Sequence, residues 1–311
     1  MSDMSIPDHW QTKYADTFQS RLQQRKTRLA QFATIKQNPY GKVCFLDQIE
    51  AIELDQKTSR HEKSQMTEVV TNRRAMTAKT FTKMVGFDED DDIKLGTQSV
   101  PMPQAAQELM SGGQRAMDQT FIDGIGGTNQ VGTGGSDLLT TEAFPSANQI
   151  AVTVGNSGSG NSNLPLEKLY SAVEDLMVDE AFGETLDGEF DMPCLAISPS
   201  QYVDLIRQDR IASNDYNGNN NAIVIARLEK VLNCKILVSN KLTKTGNIRE
   251  VLIWNKNSVQ FGLWKKQTSR LFFDEESGGL RNRVHMMCGA ARTENKGIRK
   301  LFCDETIKSS A

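Results

Sequence analysis

The side chains in this sequence whose types and spacing could support chemistry are few, and none is arranged for turnover. Three histidines, His9, His61 and His285, lie far apart and share no short spacing with a cysteine. Zinc ligands converge from short, regular spacings, so no metal site is expected. Five cysteines, Cys44, Cys194, Cys234, Cys288 and Cys303, contain no Cys-x-x-Cys pair. Four of them sit in apolar runs such as Val43-Cys44-Phe45-Leu46, which predicts buried free thiols. Asp88, Asp90 and Asp92 have calcium-loop spacing, but Ile93 stands where the loop needs glycine and Ser99 where it needs glutamate. Gly124-Ile125-Gly126-Gly127 and Gly132-Thr133-Gly134-Gly135 look like phosphate cradles. They follow a helix pattern rather than a strand, and no Gly-Lys-Ser or Gly-Lys-Thr is present, so a loop is the better reading. Gly155-Asn156-Ser157-Gly158-Ser159 lacks the final glycine of a nucleophile elbow. The sequence thus predicts no enzyme and no catalytic, cofactor-binding or metal-binding residue. A nucleotide-using enzyme built on the glycine loop is the weakest alternative.

What remains is charge. Lys57, Arg60, Lys63, Arg73, Arg74, Lys79 and Lys83 stand against Glu62 and Glu68, and Asp88-Glu89-Asp90-Asp91-Asp92 follows at once. Arg60, His61, Lys63, Arg73, Arg74, Lys79, Lys83, Asp88, Glu89, Asp90, Asp91 and Asp92 are therefore the candidate contact residues. Opposite blocks on one projection predict pairing, at least partly between subunits. The whole chain carries a net charge of -3, which excludes a general nucleic-acid binder. No secretion signal and no apolar run of membrane-spanning length is read from the sequence, so folding in a reducing cytoplasm is expected.

The elements that must carry these residues are legible in outline. Met102, Ala105, Ala106, Leu109, Met110, Met117, Phe121 and Ile125 recur at helical spacing, with Gln104, Glu108, Gln114, Arg115, Asp118 and Asp123 on the other side. About 24 residues at ~1.5 Å each make a spine of about 35 Å. Upstream, residues 13–36 suit a surface helix or arm, 42–54 a strand, and 57–83 two polar strands of a hairpin too hydrophilic for a core. Residues 60–95 are accordingly expected to be dispensable for folding. Residues 126–163 are rich in Gly, Ser, Asn and Thr, with only 149–154 reading as strand. Leu166 to Met177 form an amphipathic helix that Gly183 ends, 193–197 a strand, and Ser198-Pro199-Ser200-Gln201 a capping box opening another helix. Asn217–Asn221 reads as a loop, Ala222–Leu232 as helix or strand, and 235–239 as strand. The strands 250–254, 259–264, 270–273, 283–288 and 298–303 close an α+β fold.

Four stretches resemble a known family. They are Gly41-Lys42-Val43 to Gln48-Ile49 with Arg60-His61; Ala105-Ala106 to Asp118 with Ile122-Asp123-Gly124; Leu195 to Gln201 with Ile236 to Asn240; and Gly289-Ala290-Ala291-Arg292 with Lys296-Gly297-Ile298 and Cys303-Asp304-Glu305. Their order and spacing are similar to the major capsid proteins of tailed bacteriophages, the Hong Kong phage capsid fold shared with encapsulins. The resemblance implies an N-terminal arm and lead-in strand (1–55), an extended β-hairpin loop (56–97) lying over a neighbour, and a spine helix (98–128). It further implies an axial domain (164–245) and peripheral-domain strands (246–311); residues 129–163, read as a flexible Gly/Ser/Asn-rich insertion, depart from the family pattern. The implied function is a structural coat protein that self-assembles through pentamers and hexamers into an icosahedral shell around phage DNA. Assembly in the bacterial cytoplasm, location in the virion, and scaffolding, portal and decoration partners follow, with no sequence-specific DNA binding, no membrane and no cofactor. An encapsulin-like compartment is the alternative.

Overall fold

The computed structural model describes residues 22–54, 56–60, 63, 66–88, 102–133, 135–136, 138–155, 160–181, 192–208, 228, 230–276 and 278–307. Within them the chain forms three sheets and three α-helices. The chain divides into two compact units, one comprising residues 1–26, 81–115 and 267–286, the other 27–80, 116–266 and 287–311. No helix among the described residues is long and apolar enough to cross a membrane.

The larger unit holds a sheet whose middle strand, β8 (Cys194–Ile197), is buried at all four residues. Such a run suits a strand covered on both faces. β8 pairs parallel with β10 (Cys234–Val238) and antiparallel with β12 (Ile248–Trp254); β10 also takes the short β9 (Lys230–Val231). On the other side β12 pairs over seven positions with β15 (Ile298–Asp304), which pairs parallel with β7 (Gln149–Ile150). A small strand, β11 (Lys244–Thr245), closes on β12. Helix α2 (Leu166–Val178) lays Leu169, Ala172, Val173 and Leu176 into this core with Leu195, Ile197, Val251, Ile253 and Leu301. Helix α3 (Pro199–Arg207) begins as expected: Ser198 accepts from the Gln201 backbone, and the Gln201 side chain accepts in return from the Ser198 N–H. The expected boundary at residue 245 is crossed by this sheet, because β12 and β15 belong to the same layer as β8 and β10.

The spine is present as α1 (Met102–Gly126), 25 residues. Its last turns bury Phe121, Ile122 and Ile125, and Phe121 stacks edge-on against Trp254 at 5.3 Å. Gly124 is required here: a Cβ on it would fall 2.6 Å from Ala290 Cβ. Asp118, expected on the polar side, is instead fully buried.

Four other expectations are corrected. Described residues 22–37 hold no α-helix; after a 3-10 turn (Ala30–Phe32) they form β1 (Thr34–Gln37), which pairs parallel with residues 260–263. The two described strands within 57–83 do not pair with each other as the expected hairpin would. β3 (Thr71–Thr77) pairs antiparallel with β2 (Val43–Ile49) and β5 (Asn129–Thr133), whereas β4 (Lys79–Asp88) joins a different sheet. β3 is not wholly hydrophilic either: Met76 is fully buried with Cys44, Leu46 and Ala291. Residues 129–163 are only partly loop, since β5, β6 (Thr140–Glu142) and β7 each pair within a sheet. The late strands are longer and fewer, because 259–264 and 270–273 are one strand, β13 (Val259–Asp274), beside β14 (Gly279–Arg292). Gly183 and residues 209–227 lie outside the described residues. The five cysteines are buried and free, as expected.

Candidate inter-subunit surface

The sequence-predicted contact residues fall into three groups. Arg60 and Lys63 are exposed on the segment between β2 and β3, which has neither helix nor strand among the described residues. Lys79 and Lys83 are exposed on β4, which Asp88 ends. His61 and Glu89, Asp90, Asp91 and Asp92 lie outside the described residues.

Arg73 and Arg74 are committed within their own sheet instead. Arg73 Nε meets Asp47 Oδ1 at 2.6 Å and its Nη2 meets Oδ2 at 3.0 Å. The same guanidinium donates to the Ser136 carbonyl at 2.9 Å and lies over the Phe45 ring. The hydrogen bond from Arg73 holds the Asp47 carboxyl below the ordinary carboxylate range. Arg74 pairs with Glu142 at 2.9 Å, and Glu142 accepts from Asn295 Nδ2 at 2.9 Å. Antiparallel register explains the commitment: Asp47 stands opposite Arg73, where opposite charges stabilise a strand pair. These two arginines tie β2, β3 and β6 together by side-chain ion pairs.

Behind them a buried cation fixes the sheet against the end of α1. Arg292, fully buried, donates to the Ile125 and Gly127 carbonyls at 2.7 and 2.9 Å and to Asn295 Oδ1 at 2.8 Å. Burial, and then the charge of Arg74, brings its pKa down to about 10, against a raising effect of Glu142. Lys300 donates to the Gly126 carbonyl at 2.8 Å, and both cations lie over the Phe144 ring. Two positive charges at the carboxyl end of a helix complement its dipole.

Glu50, Asn72, Arg73, Arg74, Glu142 and Asn295 line part of a cleft of about 670 Å³. No histidine or cysteine lines it, and its arginines already face carboxylates. Its chemistry is that of polar contact.

The feature that sequence reasoning missed is apolar. Ile49, Ile52, Leu54, Met66, Val69 and Val70 are all exposed on or beside the same connecting segment, Leu54 and Met66 almost completely. Read as charged, this stretch is an arm; read with its apolar residues, it is an arm with something to bury. Covering one such side chain is worth about 1.5–3 kcal/mol. The signal was available in the residues flanking the charges, but the strand pattern from Val43 onward absorbed it.

A sequence model of the family described as phage capsid protein matches residues 6–305. No curated protein shows significant sequence similarity to the chain. Among solved structures, the chain is similar to one from the capsid of cyanophage P-SCSP1u, at a TM-score of 0.72 and 14% identity over 97% of this chain and 95% of that one. It is also similar to one from the capsid asymmetric unit of cyanophage Pam1, at 0.68 and 10% over 98% and 99%. A structure from Mycobacterium phage Che8 superposes at 0.67 and 12% over 98% and 99%. At these identities the structural likeness speaks for the fold.

Proposed function

The chain belongs to the phage capsid protein family, and on that premise we propose that it is the structural coat subunit of a tailed phage, assembling with copies of itself into the closed shell of the virion. The observation that carries this reading is the connecting segment 50–70, which exposes Ile52, Leu54, Met66, Val69 and Val70 and holds no strand among the described residues. A lone subunit leaves that apolar surface in water, and a neighbouring subunit can cover it. Many such modest contacts, repeated around a ring, add up through multivalency while each remains individually reversible. The family match over nearly the whole chain supports the same reading.

Within this proposal, pentamers and hexamers are the intermediate rings, DNA is enclosed without sequence readout, and assembly takes place in the host cytoplasm with scaffolding, portal and decoration proteins. Arg60, Lys63 and Lys79 of the larger unit and Lys83 of the smaller remain exposed cations for contact, while Arg73 and Arg74 hold the β2–β3–β6 sheet. No turnover is proposed for any residue.

Expression of the chain alone and with its phage's assembly proteins tests this reading. Negative-stain electron microscopy and light scattering should show rings or closed shells. A subunit that stays monomeric under every one of those conditions overturns it. Shells that carry a dedicated protein cargo and never DNA would favour a compartment instead.

A further inference from the structure

The smaller unit presents a face of arginines. In β13, Gln267 Nε2 donates to the Met110 carbonyl of α1 at 2.7 Å, and in β14 Asn282, Val284 and Met286 are buried. Ser269 Oγ bonds to Asn282 Oδ1 at 2.7 Å on that same inner side. Side chains alternate along a strand, so Arg270 and Asp274 of β13 and Arg281 and Arg283 of β14 occupy the outer side. The Arg281–Asp274 ion pair at 2.9 Å and the Arg283 Nε bond to Thr82 Oγ1 at 3.2 Å agree with that assignment. Arg270 and Arg283 are exposed, and neither meets a carboxylate among the described residues.

We propose that this outer face, centred on Arg270 and Arg283, seats the acidic run Asp88-Glu89-Asp90-Asp91-Asp92 of a neighbouring copy. The inference rests on the coat-subunit reading and adds the surface that the run contacts. A guanidinium is a planar fork that matches a carboxylate with two parallel hydrogen bonds, and five successive carboxylates offer several such matches. The basic block upstream is a poorer partner, because Arg73 and Arg74 are already bound to Asp47 and Glu142.

A second copy fits better than the chain's own run. β4 ends two residues beyond Gly86, where a Cβ would meet Arg281 Cγ at 3.1 Å. That level is already acidic: Asp274 occupies Arg281, and Glu275 and Glu276 are exposed in the adjoining turn. Arg270 lies four residues back from Asp274, roughly 13 Å at ~3.3 Å per residue. β4 therefore ends beside Arg281, which Asp274 already pairs, among like charges and several residues along the sheet from Arg270. One patch meeting a different patch on the next copy is a heterologous contact, the kind that closes into rings.

Charge exchange in full-length protein tests the proposal. One variant carries Arg270→Glu with Arg283→Glu; a second carries Asp90→Lys, Asp91→Lys and Asp92→Lys. Each alone should lower the yield of sedimenting particles by about tenfold or more while the subunit's melting temperature stays put. Mixing the two variants should restore six-membered rings containing both chains, seen by electron microscopy and mass spectrometry, because in an even ring the chains alternate and each run then faces the opposite charge on its neighbour. If only combining all five changes in one chain restores assembly and mixing does not, the pairing lies within a subunit and the proposal fails. It fails also if either variant assembles normally, including the case in which Arg270→Glu with Arg283→Glu assembles but sheds bound DNA. Wild-type protein that forms no rings either alone or with its phage's assembly proteins overturns the underlying coat-subunit reading instead.

Discussion

Asp118 accepts the backbone N–H of Leu29 at 3.1 Å while fully buried on α1. The same carboxylate takes the Arg28 N–H at 3.0–3.1 Å and the Thr27 hydroxyl. One side chain of the spine thus anchors the segment that leads into β1. Its oxygens satisfy the backbone donors of Arg28 and the buried Leu29, which would otherwise lose this partner.

Asp118→Ala leaves those N–H groups unsatisfied, so the subunit should lose about 3 kcal/mol of stability. Asp118→Asn keeps one acceptor oxygen and should lose less. Urea denaturation of the unassembled subunit measures both, and equal stability of all three proteins contradicts the anchoring role.

The expectation that residues 60–95 are dispensable for folding is revised by β3. Met76→Ala should cost about 2–5 kcal/mol, as for other large-to-small changes in a core. Replacing 52–68 with an equally long Gly/Ser linker removes no side chain that is buried among the described residues and should shift melting by no more than about 2 °C. It should nevertheless abolish particles in sedimentation. An unfolded linker variant places the segment in the core.

Glu305 predicts acid sensitivity. Burial tends to raise its pKa, but hydrogen bonds from Lys244, Ser198 and Arg249 outweigh that and bring it from 4.5 to about 2. A depressed carboxylate pKa contributes stability that is complete above 4.5 and is lost as pH falls through about 2. Subunit melting should therefore decline across that window, and Glu305→Gln should decline less steeply over it. Parallel melting curves would refute the linkage.

The thiols should be silent. Burial pushes Cys234 and Cys303 up to about 12 and Cys288 up to about 11. Since the thiolate is the nucleophile, alkylation of native protein at pH 8 should be slow at these three, burial alone should shield Cys44 and Cys194, and labelling should become complete in denaturant. Rapid labelling of any one in the native state would mean that its strand opens.

What could be read from the sequence was local. The α1 periodicity and the Ser198–Gln201 capping box depend on residues within a few turns of each other, and both are found where expected. So is the burial of the cysteines, whose neighbours are apolar. The partners of β3 were not legible, because Thr71–Thr77 meets Val43–Ile49 and Asn129–Thr133 across long stretches of chain, and nothing in its own residues names them. Of the contact residues, Arg73 and Arg74 were singled out for their charge, but their use inside the sheet depends on Asp47 and Glu142 arriving opposite them. Asp118 was misplaced for a related reason: a polar residue on a helix was assigned to water, when a distant backbone supplies its donors.

The pairing of β7 with β15 has a consequence for how the protein is made. β7 lies at residues 149–150 and its partner at 300–301, so about half the chain must be synthesised between the two. At roughly 5–20 residues per second, that is a wait on the order of 10–30 s. In the last third of it β12, once made, also lacks its seven-residue partner, leaving an open edge for other nascent chains to pair with. A protein produced in many copies at once is most prone to aggregate in that interval, before the last strand leaves the ribosome.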